Sequence, residues 1–241
     1  MIRPWVLISG ASSGFGEASA RLLAEEGWNL LLTSRRHARL NAVAEVCRAS
    51  GAEVHVASWD IRNRKETQEG VHALMTEADI HQNRTGLTLT ALVNNAGLAV
   101  GKGPFDAGLD EDWDRMIDTN VKGLLFLARA CVPFMTSGSR MVNMGSIAGK
   151  QVYTGGNVYC ASKHAVDALS QAMRIDLVDR GIGVSQICPG AAETEFSTVR
   201  FKGDQAAADD AAAGDAAGGR FGPQGRCDRH QPDTFCHRTQ I

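Results

Sequence analysis

Trp5-Val6-Leu7-Ile8-Ser9-Gly10-Ala11-Ser12-Ser13-Gly14-Phe15-Gly16 sets the reading of the whole chain. Its first part is a short continuous apolar run, the signature of a strand buried on both faces. It passes directly into a glycine-rich turn. An amphipathic pattern follows through Glu26, with Ala18, Leu22 and Leu23 expected on one side. Strand, glycine turn and helix together form the context of a dinucleotide site. The glycines let backbone approach a pyrophosphate, which then sits on free N–H groups at a helix N-terminus. Here they fall at Gly10, Gly14 and Gly16 rather than in the G-x-G-x-x-G order. A plain tight turn with a serine cap is the competing reading.

The pattern repeats downstream. Trp28 to Thr33 reads as a second strand, Glu53 to Ala57 as a third and Leu89 to Val93 as a fourth. Arg140 to Met144 reads as a fifth and Ile182 to Cys188 as a sixth, stopped by Pro189-Gly190. Helical patterns are expected through Leu40, Val43 and Val46, from Arg62 to Ala78, from Asp110 to Met135 and from Asn157 to Arg180. Asp79 to Gly86 reads as polar loop with an exposed His81. Strands alternating with helices predict an α/β fold: a Rossmann-like, doubly wound parallel sheet of six strands.

The end of the second strand bears on nucleotide choice. An acid there would bind a ribose 2′-hydroxyl. The chain instead has Ser34, Arg35 and Arg36. Their charge and fork geometry suit a 2′-phosphate, which favours NADP over NAD. Asp60-Ile61, just past the third strand, is placed to reach an adenine edge.

Chemistry is signalled by Ser146 and by Tyr159-Cys160-Ala161-Ser162-Lys163. Tyr159 and Lys163 lie one helical turn apart on one face. An ammonium beside a phenol favours the phenolate, so Tyr159 is expected below its ordinary pKa of about 10 and is a candidate general acid/base. Ser146 ends an apolar run and is placed to hydrogen-bond a substrate oxygen.

The 241 residues, 44% hydrophobic and 22% charged with a net charge of −2, describe a globular protein. There is no electrostatic footprint for nucleic acid. Trp5 to Ile8 is too short for a signal or a membrane span. Scattered cysteines without an export signal predict reduced thiols and a cytoplasmic location.

The ordered set Ser9-Gly10-x3-Gly14-x-Gly16, Asn94-Asn95-Ala96-Gly97, Ser146, Tyr159-x3-Lys163 and Pro189-Gly190 resembles the short-chain dehydrogenase/reductases over about Ile2 to Asp204. The family usually has Thr where this chain has Ser9, which keeps the hydroxyl. The resemblance implies a catalytic set of Asn120, Ser146, Tyr159 and Lys163. Tyr159 would pass the proton, Ser146 orient the oxygen, and Lys163 lower the Tyr159 pKa and hold the nicotinamide ribose. Asn120 would hold a relay water. It implies a cofactor site of Gly10, Ser12, Ser13, Gly14, Phe15, Gly16, Ser34, Arg35, Arg36, Asp60, Ile61, Asn94, Ala96, Gly97, Tyr159, Lys163, Pro189 and Gly190, taking NADP(H) in preference to NAD.

Asn94 to Gly101, Trp113 to Asn120, Gly155 to Tyr159 and Glu193 to Asp204 resemble, more narrowly, the NADP-dependent 3-hydroxy acid dehydrogenases. Implied substrates are L-serine, 3-hydroxyisobutyrate and 3-hydroxypropionate types. Arg200 or Lys202, with Ser146 and Tyr159, would meet the substrate. The alternatives are a ketoreductase for another carbonyl compound and a C-terminally damaged chain that binds nucleotide weakly without turnover. The family also implies a homodimer or homotetramer. No metal site, nucleic-acid partner or membrane partner is expected.

Gly203 to Gln240 contains no Leu, Ile, Val, Met, Trp or Tyr. Such a stretch cannot bury enough surface to offset its ordering entropy. The expected organisation is therefore a catalytic domain at 1–204 and an atypical tail at 205–241, disordered or out of frame, in place of the family's seventh strand. Cys227, His230, Cys236 and His237 are not read as a zinc site, because no apolar core surrounds them.

Overall fold

The computed structural model describes residues 3–81, 86–190, 200 and 202. The sequence-predicted tail at 205–241 and the fate of a seventh strand lie outside the described residues. Six strands form one parallel sheet: β1 (Trp5–Ser9), β2 (Asn29–Thr33), β3 (Val54–Ala57), β4 (Ala91–Asn94), β5 (Arg140–Met144) and β6 (Gly183–Ile187). Their order is β3-β2-β1-β4-β5-β6. The chain winds outward from β1 in one direction, then returns and winds outward in the other. The β1/β4 boundary is the switch point at which such folds bind ligands beyond the strand C-termini.

Alternate residues build the two sides of the core. Val6, Ile8, Leu30 and Leu32 pack with Leu40, Val43 and Ala20 from α1 (Gly14–Glu25) and α2 (His37–Ala49). Leu7, Leu31, Leu92 and Met141 pack on the other face. Their partners are Leu74 of α3 (Arg64–His81) and Leu127 of α5 (Leu124–Cys131). α4 (Asp110–Ile117) and α6 (Asn157–Asp176) complete the helices that frame the site. Among the described residues no helix is long and apolar enough to cross a membrane.

Four local expectations are corrected. In α1 the buried stripe is Gly16, Ala20 and Ala24, while Leu22 is 58% exposed. Small residues face the sheet because this helix rides close to β1. The helix expected from Asp110 to Met135 is broken by a π turn at Asp118–Gly123. At Gly123 an added Cβ would stand 2.9 Å from Ile61 Cγ2, so the chain passes tightly beneath that side chain. α3 extends to His81, so the expected loop begins later. β4 begins at Ala91, because the Leu89 amide donates to the Phe134 carbonyl, outside the ladder.

Leu31 lies between both neighbours of β2 and is fully buried. Leu31→Ala should cost about 3 kcal/mol. Urea unfolding would show this as a lower midpoint at unchanged slope.

Candidate active site

The glycine turn is shaped by close approach. Gly10 and Gly14 have φ of 66° and 55°, a backbone region open to glycine. A Cβ on Gly10 would lie 2.9 Å from Asn95 Nδ2, and one on Gly16 would lie 2.4 Å from the Gly10 carbonyl oxygen. The Ser9 hydroxyl accepts from the Asn95 and Ala96 amides, each at 3.0 Å, and Asn95 Nδ2 donates to the Ser9 carbonyl at 2.9 Å. These bonds join the end of β1 to the end of β4. Ser13 stands at the α1 N-terminus without a side-chain cap. The first-turn amides therefore point at the space above the glycines, with the positive end of the helix dipole behind them.

Arg36 folds over this turn. Its Nε donates to Ser12 Oγ at 3.1 Å and its Nη2 to Ser13 Oγ. The Arg36 amide donates to Ser34 Oγ at 3.2 Å. Burial pushes the Arg35 guanidinium below its ordinary pKa, with the Asp60 carboxylate opposing. Asp60 itself is gripped by Arg62, with Nη2 to Oδ2 at 2.6 Å, and that bond holds its carboxyl below the usual range. Ile61 is buried beside Gly123. Glycine cradle, capless helix start and arginine pair fit a dinucleotide carrying an additional phosphate. Phe15 is partly exposed at the rim. Asn94 lies beneath the turn, its Nδ2 donating to the Leu124 carbonyl at 2.9 Å.

The reacting end gathers on the C-terminal side of β4 and β5. Ser146 follows β5 in extended backbone, and its Oγ accepts from the Ala148 amide at 3.1 Å. The Ile147 amide donates to the Pro189 carbonyl, so the Pro189-Gly190 turn is tied to the serine loop. α6 then presents Tyr159 and Lys163, 8% and 5% exposed. Lys163 Nζ donates to the Met144 carbonyl at 2.8 Å and stands 6.0 Å from the Tyr159 ring centroid. Burial pushes the Lys163 ammonium down to about 8.

The expected drop in the Tyr159 pKa is not found. Burial raises it, while the Ser146 hydroxyl and the Arg200 charge pull the other way. The ammonium is itself desolvated and directed at a carbonyl, so burial wins. Asn120 sits in the π turn. Its Oδ1 accepts from the Leu98 amide and its Nδ2 donates to the Leu98 carbonyl, both at 2.8 Å. It also donates to Ser162 Oγ at 3.0 Å. Its side chain is thus a fully engaged brace. Asn120 Oδ1 and Lys163 Nζ both border Gly97, at 3.2 and 3.5 Å from a Cβ built there.

Arg200 and Lys202 part company. Lys202 Nζ pairs with Asp112 Oδ2 at 2.8 Å, so it is committed to the start of α4 and not to a substrate. Arg200 is anchored through its carbonyl, which accepts from the Gly101 amide at 3.1 Å. Its guanidinium carbon lies 5.1 Å from the Tyr153 ring centroid and 5.7 Å from that of Tyr159. Arg200 Nε and Nη2 are buried and have no hydrogen-bond partner among the described residues.

A family model described as short chain dehydrogenase matches residues 4–205. The chain belongs to the short-chain dehydrogenases. It is 42% identical over 206 residues to sulfoacetaldehyde reductase 2 of Chromohalobacter salexigens, covering 84% of this chain and 78% of that protein. It is also 42% identical over 206 residues to the NADP-dependent 3-hydroxy acid dehydrogenase YdfG of Salmonella typhi, covering 84% and 79%. A closed serine dehydrogenase complexed with NADP+ superimposes with a TM-score of 0.77 at 40% identity, covering 86% of this chain and 80% of that one.

Three residues of this short-chain dehydrogenase site were not singled out from sequence. Asn95 clamps the glycine turn. Ser162, fully buried, donates to the Tyr159 carbonyl at 2.7 Å and receives Asn120. Tyr153 supports Arg200, and burial pushes its phenol up to about 12. The signal for Tyr153 was its rarity: the chain has two tyrosines, and both rings meet Arg200.

Lys163 makes stability depend on pH. Below about pH 8 folded and unfolded chains both hold its proton, and the buried charge costs stability in full. From about 8 toward the ordinary 10.5 the unfolded chain binds more proton, so stability rises with pH. Tyr159 acts oppositely, but only above its ordinary value of 10. The cofactor-free enzyme should gain about 2 kcal/mol between these limits. Lys163→Met should flatten the rise, read from urea midpoints across the range.

Proposed function

We propose that this enzyme is an NADP-dependent oxidoreductase that interconverts small 3-hydroxy acids and their 3-oxo forms. The observation that carries the substrate class is Arg200. Two buried guanidinium nitrogens without a partner among the described residues, beside the Tyr159 ring, fit an anion held near a reacting oxygen. A carboxylate one or two carbons from the carbinol spans that gap. When bound, NADP supplies the hydride acceptor or donor. Its extra phosphate is assigned to Ser34, Arg35 and Arg36, and its pyrophosphate to the Gly10–Gly16 turn.

The chain's own residues do the remainder. Ser146 donates to the substrate oxygen. Tyr159 accepts the hydroxyl proton in oxidation and returns it in reduction. Lys163 contributes positive charge beneath that phenol and a donor for the nicotinamide ribose. Asn120 and Ser162 hold the α6 face in register with Gly97. Interruption of a helix by a π turn leaves a backbone carbonyl without its usual donor, which supports a relay water near Asn120. Assembly as a homodimer or homotetramer is part of the same reading, and sedimentation measures it directly.

A sulfonate substrate is the second reading. It is favoured by the 42% identity to a protein named sulfoacetaldehyde reductase 2, and Arg200 suits either anion. A substrate panel with both cofactors separates the readings: L-serine, 3-hydroxyisobutyrate, 3-hydroxypropionate and sulfoacetaldehyde. NADP-linked turnover of the hydroxy acids is expected, with Tyr159→Phe losing about 10²- to 10⁴-fold in kcat while still binding NADPH. Arg200→Ala should raise KM for anionic substrates by more than about tenfold, and leave turnover of an uncharged ketone of similar size largely intact. Equal losses on both would sink the anion assignment. Arg36→Ala should lower the ratio of NADP to NAD efficiency.

A further inference from the structure

The opposite edge of the sheet carries a second polar cluster that the reaction does not use. Glu53 leads into β3, His55 lies on β3, and His81 is the last residue of α3. Glu53 Oε1 is 2.9 Å from His55 Nε2 and 2.9 Å from His81 Nδ1. One donor atom from each of the three residues falls within 4.8 Å of the other two. The remaining nitrogen of His55, Nδ1, is 3.0 Å from Glu77 Oε1. His55 is 7% exposed with Trp5 stacked on its ring at 5.8 Å, whereas the His81 side chain is 68% exposed. One wall of the cluster is therefore fixed and the other is open to solvent.

Both nitrogens of His55 face carboxylate oxygens. A neutral imidazole has one N–H and satisfies only one of them. The tautomer protonated at Nδ1 donates to Glu77 and aims the Nε2 lone pair at Glu53 and His81. A carboxylate behind a histidine is the arrangement that orients metal-bound imidazoles and raises their basicity. Two imidazole nitrogens and one carboxylate oxygen are the donor set of zinc and similar first-row divalent ions. At metal–ligand bonds of about 2.1 Å, tetrahedral ligands lie about 3.4 Å apart. The two Glu53 contacts at 2.9 Å would open by about half an ångström, which the exposed His81 allows.

We propose that Glu53, His55 and His81 bind one divalent transition ion of the zinc class, with solvent in the fourth position and Glu77 orienting His55. The ion would clip the start of edge strand β3 to the end of α3. It is separated from the reaction centre by β2 and β1 and lies toward the N-terminal end of its strand, so it takes no part in hydride transfer.

The test is a Co2+ titration of metal-free full-length protein, followed by visible absorption and tryptophan fluorescence, with Zn2+ competition. Trp5 stacks on His55, so bound Co2+ should quench its emission. One ion per chain is expected, without a thiolate charge-transfer band and displaced by Zn2+. His81→Ala and Glu53→Gln should each weaken binding by about tenfold or more, with NADPH binding unchanged. His72→Ala, also on α3, should behave as the parent. No binding would overturn the proposal. So would unchanged affinity in His81→Ala, or a thiolate band, which would assign the ion to cysteines such as Cys227 and Cys236.

Discussion

The contact between Gly16 and the Gly10 carbonyl is the constraint on which the site depends. A methyl group on Gly16 would stand 2.4 Å from that oxygen. Helix α1 can press this close only because its buried face is Gly16, Ala20 and Ala24. The closeness aims the first-turn amides across the ends of β1 and β4. Ser9 then fixes the register between those ends, its hydroxyl accepting hydrogen bonds from the Asn95 and Ala96 amides. The helix terminus, the Asn95 turn and Gly97 are thereby set as one rigid body, and Gly97 borders both Asn120 and Lys163. Nucleotide geometry and catalytic geometry share a single origin at the switch point of the sheet.

Much of this was legible. Buried parallel strands announce themselves as apolar runs, and glycine turns as spacing, because both are local properties of the chain. The stripe of α1 was misjudged for the same reason. Hydrophobic periodicity selected Leu22, whereas the sheet demanded small residues, and closeness of approach is not a local property. The π turn was hidden too. Nothing in Asp118 to Gly123 departs from helical periodicity, and Ile61, which Gly123 approaches tightly, is far away in sequence. Asn95 was overlooked beside Asn94 because the resemblance favoured its neighbour. The distinction between Arg200 and Lys202 depends on Asp112, which sequence order cannot bring to either.

The Tyr159 result shows how opposing electrostatic effects are decided by burial. Sequence spacing correctly brings an ammonium to the same helical face as the phenol. A charge lowers a neighbouring pKa only when its field outweighs the loss of water around the phenolate. Here Lys163 is as deeply buried as Tyr159 and is directed at the Met144 carbonyl. Its own proton is destabilised, with its pKa at about 8. The isolated site therefore holds both groups closer to neutrality than the sequence suggested. Additional charge delivered on binding would have a large effect in such a poorly solvated place.

Arg200 extends that logic to specificity. Arginine does not escape burial by losing its proton. The two buried Arg200 nitrogens have no acceptor among the described residues, and a group left so carries an unmet desolvation cost of about 1–3 kcal/mol or more. The proposed anionic substrate would relieve that cost, while a neutral compound of equal size would leave it in place. Discrimination by an unpaired buried group can reach several orders of magnitude, far more than an apolar pocket obtains from one methylene. The Arg200 guanidinium carbon lies 5.1 Å from the Tyr153 ring centroid and 5.7 Å from that of Tyr159, a cation–π arrangement. In the proposed reading Arg200 meets the ligand, whereas Lys202, paired to Asp112, is spent on the fold.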